Sequence, residues 1–193
     1  LSSSPSPKFT YNFPEILITM ILRLLTILII PLLLSAAEKP NIIIVLADDM
    51  GIGYMAPSNP DCKIKTPVLQ KMADEGILFM DAHSTSAVCT PTRYGLLTGR
   101  YNWRSVKARG VLSGTSPHLI PADRPTLAHM LRKAGYTTQM IGKWHLGWDW
   151  HKDGNKIDFT KPVKNGPDIN GFDGYYGHCG SLDMPPYVWV DTG

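Results

Sequence analysis

Cys89-Thr90-Pro91-Thr92-Arg93-Tyr94-Gly95-Leu96-Leu97-Thr98-Gly99-Arg100 decides how this chain is to be read. Pro91 suits the first turn of a helix, where a missing N–H costs no intrahelical bond. Leu96 and Leu97 offer an apolar face, and Gly99 supplies a stop. The reading therefore places Cys89 at a helix N-terminus, where unpaired N–H groups and the helix dipole favour negative charge. Taken alone, the segment leaves two alternatives open. One is a half-buried structural cysteine; the other is a cysteine whose chemistry the helix start assists.

Working outward, Asn41-Ile42-Ile43-Ile44-Val45-Leu46-Ala47 is a β-branched run of the kind found in strands buried on both faces of a parallel sheet. It ends at Asp48-Asp49, and two adjacent acids after a buried strand are costly unless positive charge lies nearby. Ligands in open α/β sheets bind at the carboxyl ends of strands. Thr66-Pro67 reads as the start of a helix with Val68, Leu69, Met72 and Ala73 on one face and Gly76 at its end. Ile77-Leu78-Phe79-Met80 is expected to be a second strand.

Beyond the cysteine segment, residues 104–124 hold Gly110, Gly114, Pro117 and Pro121 and show no periodicity. Thr126 is expected to cap a helix through Leu127, Met130 and Leu131, closed near Lys133 and Gly135. Tyr136 to Ile141 reads as the next strand, followed by Gly142-Lys143-Trp144-His145-Leu146-Gly147. In an extended stretch, Lys143 and His145 share one side. Residues 148–170 read as a polar surface loop.

With 193 residues, 44% hydrophobic and 18% charged, the chain can bury one core. Its net charge of +3 is small and reads as scattered, which gives no sign of nucleic acid as a partner. Leu1 to Thr19 carries no clear pattern, and Leu1 is not an initiator. Met20, Arg23, the apolar run from Leu24 to Leu34 and Ser35-Ala36-Ala37 have the layout of an export signal. The run is shorter than the ~20 residues of a spanning helix. Residues 1–19 are thus expected to be upstream sequence, 20–37 a signal segment and 38–193 the functional domain. The protein would be exported, to a periplasmic, extracellular or lysosome-like compartment, with membrane contact only through that segment. Cys62, Cys89 and Cys179 are the cysteines, and spacing leaves open whether Cys62 and Cys179 pair.

The cysteine segment, the acid pair after a strand and Gly142-Lys143-Trp144-His145 together resemble the sulfatase family. The resemblance runs from about Lys39 to Val190 with the motifs in family order. It implies the alkaline phosphatase-like α/β fold, a mostly parallel sheet flanked by helices, with this chain as its N-terminal portion. It also implies that Cys89 is oxidised to formylglycine by a formylglycine-generating enzyme that reads Pro91 and Arg93, and then serves as nucleophile and metal neighbour. Asp48 and Asp49 would bind a divalent cation, Ca²⁺ ahead of Mg²⁺. Arg93 would steady the nucleophile's oxygen, Lys143 would bind sulfate oxygens, and His145 would take a proton. Gly171 to Gly177 and Ser181-Leu182-Asp183-Met184 also look like a sulfatase segment, but neither Ser181 nor His178 is assigned a role. The expected reaction is hydrolysis of a sulfate ester, on a sulfated small molecule or polysaccharide. Relatives of the fold that cleave phosphonate monoesters or phosphodiesters, and a binding domain without turnover, are the alternatives. Further metal ligands and a later lysine and histidine of the family have no counterpart before Gly193, so this chain alone is expected to be inactive.

Overall fold

The computed structural model describes residues 14, 17, 18, 20–23 and 39–192. The chain divides into two units, residues 1–46 and 47–193. In the first unit, residues 20–23 are helical and residues 39–46 are irregular and exposed. Apart from residues 20–23, the expected signal segment at 20–37 lies outside the described residues. Among the described residues no helix is long and apolar enough to cross a membrane.

Among the described residues the second unit holds three α-helices, α1 (Pro67–Glu75), α2 (Cys89–Thr98) and α3 (Leu127–Lys133), and five strands, beside short 3-10 turns. The strands are β1 (Gln139–Lys143), β2 (Lys152–Asp153), β3 (Lys156–Ile157), β4 (Gly174–His178) and β5 (Val190–Asp191). The main sheet has the order β1-β4-β5. β1 and β4 pair in parallel, from Gln139 opposite Gly174 to Lys143 opposite His178. β5 is antiparallel to β4. A parallel pair needs a long crossover, and here residues 144–173 provide it, with the β2–β3 hairpin inside.

Local signals explain the helices. Pro67 starts α1, although the helix buries no residue and leaves Val68 and Met72 exposed. α2 begins at Cys89 and ends where Gly99 turns left-handed at φ 63°, with Gly99 N–H donating to Gly95 C=O. Its buried face is Thr90, Pro91, Tyr94, Gly95 and Thr98; of the two leucines expected there, Leu97 is half-buried and packs against the core, while Leu96 is exposed. The reason is spacing: the helix must aim Thr90, Tyr94 and Thr98 inward together, four residues apart, which turns Leu96 outward. Thr126 caps α3, accepting from His129 N–H, while His129 Nδ1 accepts from Thr126 N–H.

Tyr94, Leu112, Leu119, Ile120, Trp144, Leu146, Trp148, Tyr175 and Cys179 form the core. Full burial of such a side chain contributes about 1.5–3 kcal/mol. Trp148 meets Tyr175 edge-on at 5.8 Å and Trp150 at 5.4 Å. Residues 148–170 are therefore no simple surface loop: Trp148, Gly166, Pro167 and Asn170 are buried. The irregular stretch before α3 likewise supplies Leu112, Leu119 and Ile120. Gly177 is required where β4 runs against β1, since a Cβ there would overlap Gly142 O.

Two expected strands do not form. Ile42 to Leu46 and Ile77 to Met80 are exposed and outside any sheet. Each is apolar enough for a sheet interior, but among the described residues no strand hydrogen-bonds to either. Composition marks a segment as fit for burial; a partner strand is what makes it β.

Candidate active site

The start of α2 gathers most of the candidate residues. Cys89 occupies the first helical position, half-buried, behind the extended Val88. One turn on, Arg93 reaches out of the helix with a nearly buried side chain, 11% exposed. Its Nη2 donates to Asp48 Oδ2 at 3.2 Å, and its Nη1 to Lys143 C=O. Lys143 is the last residue of β1, and its Nζ donates to Asp48 Oδ2 at 2.7 Å and Ser181 Oγ at 2.6 Å. Ser181 Oγ in turn lies 3.9 Å from Cys89 Sγ. A helix start, a strand end and two loops thus meet in one polar chain.

Electrostatics follow from that geometry. The Lys143 hydrogen bond, chiefly, holds the Asp48 carboxyl below the usual 3.8, against the opposing effect of burial, with Lys143 and Arg93 charges adding to it. Asp49 sits beside it at φ 57°, exposed, with no hydrogen bond or ion pair among the described residues. The left-handed region is one that aspartate tolerates better than most residues.

His145 is completely buried. It lies beyond the end of β1 at φ 55°, so strand alternation does not govern where it points relative to Lys143. Its N–H donates to Cys179 C=O at 2.9 Å. Its Nε2 lies 2.7 Å from Leu112 C=O. A carbonyl only accepts, so Nε2 carries the hydrogen. Nδ1 then presents a lone pair, and it has no partner. Burial above all pushes the imidazole pKa below 6.5 and keeps it neutral.

Thr90 joins His145 to the helix. Its buried Oγ1 donates to His145 C=O at 2.9 Å and accepts from Leu112 N–H at 3.0 Å. Beneath the sheet end, Tyr175 Oη lies 2.9 Å from Gly142 C=O and 3.0 Å from His178 C=O, and its burial drives its pKa up. Cys62, Cys89 and Cys179 are all free thiols, so Cys62 and Cys179 do not pair in this structure.

Of the residues singled out from sequence, Cys89, Arg93, Lys143 and Asp48 fall into one linked set. His145 is tied to it through Thr90, and Asp49 stands apart. Sequence reasoning passed over Thr90 and assigned Ser181 no role. A threonine directly after the cysteine of a helix start is a usable signal for the first. Ser181 arrives from 92 residues away, and no local pattern announces it. His178 is turned elsewhere, its Nδ1 towards Gly180 C=O and its ring edge-on to Trp189.

Comparison with known proteins adds to this geometry. The N-acetylgalactosamine-6-O-sulfatase of Bacteroides thetaiotaomicron is 40% identical over 157 residues, covering 81% of this chain and 30% of that protein. A solved structure from work on the metabolism of multiple glycosaminoglycans by the same organism superposes with a TM-score of 0.73 at 38% identity, over 81% of this chain and 32% of the other. Ps i-CgsB, solved in complex with k-i-k-neocarrahexaose, superposes with a TM-score of 0.59 at 30% identity, over 75% of this chain and 29% of the other. The chain thus spans about a third or less of the length of each of these three proteins. These likenesses bear out the expected alkaline phosphatase-like α/β fold. Residues 40–187 match the sulfatase family, and the chain belongs to that family.

Proposed function

We propose that this chain carries the nucleophile-bearing part of an exported sulfate-ester hydrolase, with Cys89 converted to formylglycine by a formylglycine-generating enzyme. The observation that carries the reading is the linked set Cys89, Ser181, Lys143, Asp48 and Arg93 at the start of α2. The Cys89 position fits the modified residue: its thiol is half-buried and its hydrogen-bond contact among the described residues is the 3.9 Å approach of the Ser181 hydroxyl, so an oxygen substituent breaks no short bond. A hydrated formylglycine supplies two hydroxyls on one carbon, one to attack sulfur and one whose deprotonation releases sulfate.

The donor set also fits part of a hard-cation site. Asp48 and Asp49 offer carboxylate oxygens, and Arg93 and Lys143 cancel their charge, so side chains alone give an anionic ester no net attraction. Asp48 and Asp49 would hold Ca²⁺ ahead of Mg²⁺, which would polarise the sulfate oxygens. Among the described residues no third His, Cys or acid completes such a group, and calcium takes about six to eight oxygens.

The chain's own groups have definite tasks. Lys143 spends two hydrogen-bond donors on Asp48 and Ser181, and its third is available for an ester oxygen. Arg93 clamps the end of β1 to α2 through its bond to Lys143 C=O, and through its bond to Asp48 it ties that carboxylate to the same helix. His145, neutral and with Nδ1 unpartnered, accepts the proton of the second hydroxyl. Sulfated carbohydrate is the proposed substrate class, since one relative is named for N-acetylgalactosamine-6-O-sulfate and another was solved with a carrageenan-type hexasaccharide.

The test is mass spectrometry of the Cys89 peptide from full-length protein made alongside a formylglycine-generating enzyme. An aldehyde in place of the thiol is expected, and its yield should drop in Pro91→Ala and Arg93→Ala. Finding thiol alone would overturn the reading.

A further inference from the structure

The small overall charge conceals an uneven distribution. From residue 82 to residue 122 the chain has no Asp or Glu, yet it carries Arg93, Arg100, Arg104, Lys107 and Arg109. Arg93 is engaged with Asp48. The other four lie within residues 100–109, just past the C-terminus of α2, and none has an acidic partner among the described residues.

The loop that bears them is ordered by its own bonds. Buried Asn102 donates from Nδ2 to Ala108 C=O at 2.7 Å, closing the turn. Ser105 Oγ donates to Asn102 C=O at 2.7 Å and accepts from Lys107 N–H at 3.1 Å. On the outside, Tyr101 and Trp103 stack at 4.0 Å with planes 11° apart. Both rings remain about half exposed, at 48% and 59%. Arg104 and Arg109 are exposed, and Arg100 and Lys107 half-buried.

Four cations within ten residues of sequence repel one another wherever they come within a Debye length, about 8 Å, which a folded loop tolerates only at some cost to stability. A polyanion relieves that repulsion. Guanidinium groups pair two-pronged with tetrahedral oxyanions. A flat aromatic pair offers an apolar face to the C–H side of a sugar ring. Because the turn is already closed, binding pays little to order it.

We infer that residues 100–109 form a second binding site, for the chain of a sulfated polysaccharide, separate from Cys89. The inference rests on the sulfate-ester reading above and deepens it, since it makes the substrate a polymer. α2 has ten residues and so places the start of the loop at Arg100 about 15 Å beyond the nucleophile, a span that a small ester does not cover. A polymer held at the loop is kept at high effective concentration for the reaction.

The test uses the full-length protein that carries this segment, with Arg104→Gln/Lys107→Gln/Arg109→Gln beside a charge-preserving Arg104→Lys/Arg109→Lys. Binding to heparin, to desulfated heparin, to a single-stranded oligonucleotide and to anionic phospholipid vesicles is measured across salt concentrations. Turnover is followed on a small activated aryl sulfate. The neutralised variant should lose about tenfold or more in heparin affinity, with a salt dependence shallower by about two to three counterions. The lysine variant should stay within a few-fold of the unaltered protein. Desulfated heparin should bind neither, and kcat and KM for the aryl sulfate should be unchanged. Equal heparin affinity in all three proteins overturns the inference. So does tighter binding of the oligonucleotide or the vesicles than of heparin, or a loss of aryl sulfate turnover that tracks the loss of binding. If the unaltered protein lacks aryl sulfate turnover, the catalytic reading falls, while the heparin measurements still decide this site.

Discussion

Replacing Thr90 by valine probes how the start of α2 is tied to the rest of the site. The side chain is 1% exposed, and its hydroxyl makes two bonds, to His145 C=O at 2.9 Å and from Leu112 N–H at 3.0 Å. Valine keeps the shape and removes both. Each stranded buried polar group costs about 1–3 kcal/mol. The extra methyl's burial offsets part of this, leaving a loss of about 2–4 kcal/mol in unfolding free energy. A second effect follows at His145, whose φ of 55° persists only while its neighbours hold it. Freed from Thr90, the imidazole has more room to leave its position, and kcat should fall with stability. The assay is urea unfolding and aryl sulfate turnover of full-length protein bearing Thr90→Val or Thr90→Ser. Serine keeps the hydroxyl and forgoes one methyl, about 1 kcal/mol. Valine should therefore be less stable than serine by about 1–3 kcal/mol. A valine variant at least as stable as the serine variant would refute the reasoning, because packing and not the shared hydroxyl would then dominate.

Asp49→Asn should leave unfolding free energy within about 0.5 kcal/mol, because Asp49 is exposed and unbonded among the described residues and asparagine accepts its left-handed backbone. The same change should sharply weaken calcium-dependent turnover of the full-length protein; unchanged calcium dependence would move the cation elsewhere. Stability should also fall on mild acidification. Burial chiefly depresses the pKa of His145 and His118 below 6.5, so between pH 6.5 and those lowered values the unfolded chain binds protons that the folded chain does not, and stability declines as pH drops. Asp48 contributes stability above 3.8 that is lost only as pH falls through its lowered folded value. Urea midpoints at pH 7.5 and pH 5 measure the histidine window, and equal midpoints would count against neutral buried imidazoles.

Features written over a few neighbouring residues were legible in the sequence alone. Pro91 and Gly99 delimit α2, Thr126 caps α3, and the polar residues at a strand end put Lys143 at the site, because each is decided by backbone geometry within one or two turns. The strand itself runs on through Lys143 and not only to Ile141. The cysteine motif was legible for the same reason. Tertiary structure decided what depends on partners distant in sequence. Ser181 reaches Cys89 and Lys143 only because β4 pairs in parallel with β1 and carries the following loop to the same sheet end. Trp148, set in a polar-looking stretch, is buried because the crossover folds back onto Tyr175. Ile42 to Leu46 and Ile77 to Met80 stay without a strand partner among the described residues, although their composition suits a sheet interior. A strand is completed by hydrogen bonds to another segment, and no residue run encodes by itself whether that segment is beside it.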